Sequence, residues 1–190
     1  ARGMALKAPK GMDTRPTMDQ VKEGIFSAIQ FEVEGRTALD LFAGSGQLGI
    51  DPAKDNIEDV PVMTLGTGSI SPLEMAAAYA TFANGGYYRQ PIAITEIDSR
   101  TGSVLYQHTD NPSQVLTEGE AAAVTDVLSG VMQGGGTGAA GALSVNQPYA
   151  GKTGTTDNTT NLWFCGYTLQ LACALWTGYS AGEIPIQKYG

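Results

Sequence analysis

The sequence predicts an α+β fold in which an antiparallel sheet packs against helices, preceded by a helix, a strand and a glycine turn of a different character. Three observations carry this expectation. Ser71-Pro72-Leu73-Glu74 and Thr117-Glu118-Gly119-Glu120 each place a Ser or Thr three residues before a Glu at the head of an apolar helical run. Two apolar runs, 162–167 and 171–179, read as paired strands. Leu39-Asp40-Leu41-Phe42 leads directly into Ala43-Gly44-Ser45-Gly46, a strand followed by a glycine turn.

Taken in order, Thr17-Met18-Asp19-Gln20 has the form of a capping box. Val21, Ile25, Phe26 and Ile29 follow at helical spacing, which predicts a helix over 18–31 that Gly35 breaks. A short buried strand is expected at 37–42, and the turn after it should open a helix near Gln47. Asp51-Pro52 cuts that helix short, because the residue before a proline is steered away from helical angles. The expected strand, turn and helix unit is therefore truncated in its third element.

Beyond residue 50 the pattern is more regular. Ser71 as cap, Pro72 in the first turn and Glu74 three residues on open an Ala-rich helix that Asn84-Gly85-Gly86 closes. Ile92-Ala93-Ile94-Thr95 and Val104-Leu105-Tyr106 flank Asp98-Ser99-Arg100-Thr101-Gly102, which predicts a hairpin with Gly102 in the left-handed conformation. Thr117 and Glu120 cap a second helix through Val124, Val127, Leu128 and Val131, and Gly134-Gly135-Gly136 should end it in a flexible loop. The sequence shows no internal repeat and no low-complexity tract. The organisation expected is a short segment over 1–50 and a larger one over 51–190.

Composition bounds the function. Of 190 residues, 42% are apolar and the charge content is modest, which marks a globular chain. No apolar run approaches the ~20 residues needed to cross a bilayer, and residues 1–10 lack the apolar stretch of a secretory signal, so a soluble, unaddressed chain is expected. Residues 1–22 carry five basic against two acidic side chains, while residues 51–190 carry five basic against thirteen acidic. The head could meet nucleic acid; the body would repel phosphate. Cys165 and Cys173 share one apolar stretch and read as buried small hydrophobes rather than a disulfide or a metal site. His108, the only histidine, reads as a surface residue with no nucleophile beside it. No metal site is expected.

Two strings carry chemistry. Gly151-Lys152-Thr153-Gly154-Thr155-Thr156 lies before an apolar strand, where an ammonium and a hydroxyl could hold a carboxylate and Gly154 would keep the cleft open. Together with the stretch 66–86, the hairpin over 94–106, the loop over 133–140 and Trp163-Phe164 to Trp176-Thr177-Gly178-Tyr179, it resembles the transpeptidase domain of class A type penicillin-binding proteins over about residues 48–190. The resemblance implies D,D-transpeptidase ancestry in peptidoglycan cross-linking. It implies site roles for Lys152, Thr153, Gly154 and Thr155, and a peptidoglycan stem peptide or a β-lactam as the partner.

It also implies a Ser-x-x-Lys nucleophile motif and a Ser-x-Asn motif, along with a transglycosylase domain and membrane anchor that these residues do not contain. No Ser in the 190 residues is followed by Lys three positions on, and Ser144-Val145-Asn146 lies only six residues before Lys152, where a polar connection is expected instead. Without an activated Ser no acyl-enzyme forms, so no turnover is expected, and at most weak carboxylate binding.

In the head, Lys7-Ala8-Pro9, Asp13-Thr14-Arg15-Pro16-Thr17, Val21-Lys22-Glu23 and 39–50 resemble the bacterial 16S ribosomal RNA guanine-N2 methyltransferases, Rossmann-like enzymes. That resemblance implies S-adenosylmethionine at Asp40, Gly44 and Gly46, and RNA phosphate at Arg15 and Lys22. The acidic residue after the second strand and the Asn/Asp-Pro-Pro-aromatic motif are missing. Asn111-Pro112-Ser113 lacks the second Pro and the aromatic. Both resemblances meet at Leu48-Gly49-Ile50, so the simplest account is a join of two unrelated gene fragments. Three readings follow: a non-catalytic transpeptidase fragment, a methyltransferase remnant, or a chimera without function. One family is extracytoplasmic and the other cytoplasmic, which leaves the localisation open.

Overall fold

The computed structural model describes residues 48–51, 69–156 and 158–186. The helix expected over 18–31, the strand over 37–42 and the glycine turn after it lie outside the described residues. So do Arg15, Lys22, Asp40, Gly44 and Gly46.

Helix α1, Pro72–Ala83, begins where the sequence places it. The Ser71 hydroxyl accepts the backbone N–H of Glu74, and the Glu74 carboxylate accepts the Ser71 N–H at 3.1 Å, closing the capping box. Asn84 caps its end, and Gly85 and Gly86 both take positive φ. Gly86 cannot be replaced cheaply: a Cβ there would stand 2.2 Å from the Leu116 carbonyl oxygen. Its own carbonyl accepts the N–H groups of Val115 and Leu116, tying the end of α1 to the start of α2, Glu118–Val131. Helix α2 repeats the capping box with Thr117 and Glu120. Strands β1, Tyr87–Tyr88, and β4, Ser113–Gln114, form a short antiparallel ladder beside this junction.

The hairpin between them is shorter than expected. It consists of β2, Glu96–Asp98, and β3, Val104–Gln107, so the run 92–95 is not a strand. The ladder ends where Glu96 faces Gln107, the last residue of β3, with the two side chains hydrogen-bonded at 3.1 Å, and past it only the His108 N–H reaches back, to the Thr95 carbonyl. Ile92 and Ile94 are consequently exposed. The turn itself forms as expected, with Gly102 at φ +82° and the Ser99 hydroxyl accepting the N–H groups of Thr101 and Ser103.

A three-stranded antiparallel sheet of order β5-β6-β7 completes the fold: β5 is Tyr149–Thr155, β6 Asn161–Thr168 and β7 Ala172–Gly178. Both helices pack on this sheet. Phe82 of α1, Leu116, Ala150 of β5 and Tyr167 of β6 form the core, flanked by Tyr79, Val124, Leu128 and Ala172. Tyr79, Phe82 and Tyr167 meet edge-on or tilted, at ring-centre distances of 5.7 to 6.3 Å. A smaller cluster packs Leu48 and Ile50 against Ala78, with Ile70, Met75 and Val115 around it. The tripeptide at which the two resemblances meet thus sits on α1. Among the described residues no helix is long and apolar enough to cross a membrane.

The two cysteines separate. Cys165 is buried, whereas Cys173 is exposed, contrary to the expectation that both are buried. Register explains it: Cys165 pairs with Ala174 and Cys173 with Gly166, so neighbouring positions send the two thiols to opposite faces.

Candidate functional site

Lys152-Thr153-Gly154-Thr155 occupies the second half of β5, which pairs with β6 on one side at the end of the sheet order. Side chains alternate along a strand, so Lys152 shares a face with Ala150 and Gly154, while Thr153 and Thr155 share the other with Gly151. At Ala150 the first face lies in the core. Two residues on, opposite Cys165, the Lys152 side chain reaches the surface. Nearby protein still displaces water from its ammonium, and this desolvation lowers its pKa from the ordinary lysine value. The ammonium donates to the Thr153 carbonyl at 2.7 Å, which uses one of its three donors.

On the other face the loop after α2 covers the strand. The buried Met132 places its sulfur 3.0 Å from where a Gly151 Cβ would stand, and Gly141 stands against the ring of Phe164. The loop is bonded rather than loose. Gly136 N–H donates to Gln133 O, Gly138 N–H to Val131 O and Ala139 N–H to Gly136 O, at 2.9, 3.0 and 3.2 Å. Gly135 takes φ +92°, and a Cβ on Gly136 would stand 2.2 Å from the Val131 carbonyl oxygen. At the loop's tip, the Thr137 hydroxyl accepts a hydrogen bond of 2.9 Å from Thr153. Sequence reasoning noticed the glycines but not Thr137. A single Thr among glycines signals no partner until the sheet is assembled.

Gly154 has a local reason of its own. A Cβ there would approach the Cβ of Trp163 to 3.2 Å, so the glycine makes room for the indole as well as leaving the edge open. Beyond Thr155 the turn to β6 is closed by the Thr156 hydroxyl, which accepts the N–H groups of Thr160 and Asn161. Asn161 in turn accepts the Trp176 indole N–H at 2.9 Å. The site strand is thereby held at its far end by a polar network and at its near end by the aromatic core.

The remaining candidates fall elsewhere. Ser144-Val145-Asn146 is an exposed bend before β5. Asn111-Pro112-Ser113 is exposed and runs into β4. His108 is half-buried at the end of β3, with its backbone N–H donated to Thr95 O. Burial pushes the Cys165 thiol up to about 11, with a further contribution from Cys173, so it is held as a neutral thiol. Tyr79 and Tyr167 are likewise raised by burial, Tyr167 against the opposing effect of its 2.9 Å hydrogen bond to Thr125.

An α+β body with two capped helices on an antiparallel sheet, and a Lys-Thr-Gly-Thr run on its end strand, matches the penicillin-binding transpeptidase-like fold class. Penicillin-binding protein 1A of Clostridium acetobutylicum is 33% identical over 153 residues, covering 79% of this chain and 19% of that protein. Penicillin-binding protein 2D of Bacillus subtilis is 34% identical over 150 residues, 73% of this chain and 21% of the other. Among solved structures, PonA1 of Mycobacterium tuberculosis in complex with penicillin V superposes with a TM-score of 0.64 at 27% identity, over 76% of this chain and 42% of that one. The family described as conserved hypothetical protein 95, an rRNA methyltransferase family, matches residues 1–63 and so runs past Ile50. Over most of its length the chain is similar to penicillin-binding proteins, while its first 63 residues match a different family, which fits a join of two unrelated segments. It spans about a fifth of the length of the curated relatives it matches.

Proposed function

We propose that the end strand of this fragment binds a peptide carboxylate weakly and turns nothing over. The single observation behind the reading is the pairing of an exposed Lys152 and a neighbouring Thr153 hydroxyl on β5 with the absence of Ser-x-x-Lys from the 190 residues. The Lys152 ammonium offers a carboxylate a charge-assisted contact, and the Thr153 hydroxyl, on the opposite face, can reach the same group only across the edge of β5, which ends the sheet order, but acyl transfer needs a nucleophile with a base beside it. The partner by this reading is a peptidoglycan stem peptide ending in D-alanine, or the carboxylate of a β-lactam. Fluorescent penicillin should leave no covalent label on a denaturing gel, and stoichiometric labelling would refute the reading. N-acetyl-D-alanyl-D-alanine should shift the amide resonances of 152–155 with a Kd on the order of 1 mM, about 4 kcal/mol of binding free energy.

The match of residues 1–63 favours a second reading for the head, as a remnant that takes S-adenosylmethionine at Asp40, Gly44 and Gly46 and RNA phosphate at Arg15 and Lys22. Calorimetry with S-adenosylmethionine tests the cofactor, and an absence of heat at millimolar ligand removes that role. Gel shift with a ribosomal RNA hairpin tests the basic side chains. By this account residues 1–50 and 51–190 are separate inheritances.

A further inference from the structure

We infer that Thr137 is a latch on the carboxylate-binding edge: it takes the one proton that the Thr153 hydroxyl has to give and so keeps the subsite closed to anions. The inference rests on the reading of β5 as a carboxylate site and adds its control. A threonine hydroxyl has a single donor and two lone pairs. The Thr153 proton is directed at Thr137 at 2.9 Å, so toward any approaching carboxylate Thr153 presents lone pairs, which repel it. Lys152 differs: with one donor on the Thr153 carbonyl, its ammonium keeps two for a ligand. The site is therefore half open, with its charge available and its hydroxyl withheld.

Both ends of the latch stand on rigid supports. Thr153 is fixed by its strand pairing with Phe164, and Thr137 by a loop whose glycines fit against the Val131 carbonyl and the Met132 side chain. The Met132 sulfur stands 2.6 Å from a would-be Gly138 Cβ and 3.0 Å from one on Gly151, so the same buried side chain anchors the loop and the strand to each other. Two hydroxyls held this way meet without ordering flexible chain, which lets an exposed bond persist against water. Opening requires rotation of the Thr153 hydroxyl about its Cβ–Oγ bond or of the side chain about χ1, not movement of the backbone.

Thr137→Val, nearly isosteric and without the acceptor, removes the latch, while Thr137→Ser keeps it. Three-bond couplings to the Thr153 methyl report χ1 without any ligand. A single rotamer is expected in the unaltered chain and in Thr137→Ser, and rotamer averaging in Thr137→Val. Titrated with N-acetyl-D-alanyl-D-alanine, Thr137→Val should bind roughly fivefold more tightly than the unaltered chain, and Thr137→Ser should match the unaltered chain. Thr137→Val binding no more tightly than the unaltered chain overturns the latch alone, as does an averaged Thr153 in the unaltered chain. If neither the unaltered chain nor Thr137→Val binds the dipeptide, the carboxylate reading falls and the latch with it.

Discussion

The two halves of strand β5 have opposite surroundings. At Ala150 and Gly151 the chain lies between the core and the loop after α2, both residues are buried, and at Gly151 a side chain would meet the Cys165 carbonyl and the Met132 sulfur. At Lys152 to Thr155 the same strand, still in register with β6, carries a charged side chain and two hydroxyls at the surface. One half is packed into the core and the other presents polar groups at the edge, and the difference arises within a single step of the strand. A site on a strand whose other end is a packed core is held to the core's geometry, so its side chains need little ordering of their own.

The sharpest way to break this contrast is at the closed half. Phe82→Ala removes the ring that packs on Ala150 and Tyr167, and should cost about 3 to 5 kcal/mol in urea unfolding, enough to unfold a fragment of this size. A loss below 1 kcal/mol would mean that the closed half is not the core. Next in size, Gly151→Ala must push a methyl to within 2.9 Å of the Cys165 carbonyl oxygen and should cost about 1 to 3 kcal/mol. Gly154→Ala, where the first contact is the Trp163 side chain at 3.2 Å, should cost less. The reverse order would place the rigid half at the wrong end. Tyr167→Phe, which deletes the hydroxyl bonded to Thr125, should cost about 1 kcal/mol, read from the same unfolding curves.

Smallest of all, Lys152→Ala should leave stability within about 0.5 kcal/mol while abolishing dipeptide binding. A large stability loss with unchanged binding would reverse the assignment of the two halves. Titration sharpens the contrast further. Cys165, opposite Lys152, has its folded pKa pushed up by burial to about 11 from an ordinary 9.0, so between those values the folded state keeps a proton that the unfolded state releases, and stability falls as pH rises. Lys152, lowered by desolvation, acts in the opposite sense: the unfolded state binds its proton more readily, and stability rises as pH climbs toward the ordinary lysine value. Cys165→Ala should lessen the alkaline fall, leaving the part that the raised Tyr79 and Tyr167 phenols contribute in the same sense. In the folded protein a thiol reagent should modify Cys173 and spare Cys165, which mass spectrometry of the modified peptide checks.

Much of this was legible in the sequence. Both helix starts were readable because a capping box is a local device: Ser71 with Glu74 and Thr117 with Glu120 need nothing beyond their own turn. Gly102 and the pair Gly85-Gly86 were readable for the same reason, since positive φ is a demand of the backbone alone. The Lys152-Thr153-Gly154 motif and the strands after it were legible as pattern, and the comparisons bear out the ancestry that the pattern implied.

What the tertiary structure alone decided depends on where distant segments meet. The run 92–95 had the alternation of a strand and lost it, because β3 ends at Gln107 and only Thr95 of the run finds a further backbone partner, the His108 N–H. Cys165 and Cys173 looked alike in one apolar stretch, yet register buried one and exposed the other. Thr137 carried no signal at all, being sixteen residues from Thr153 in sequence and 2.9 Å from it in the fold. By itself the sequence determined the local turns, the helix caps and the family of the strand. Burial, partnership and the state of the Thr153 hydroxyl were settled by packing, because each is a property of two segments brought together and neither segment encodes it alone.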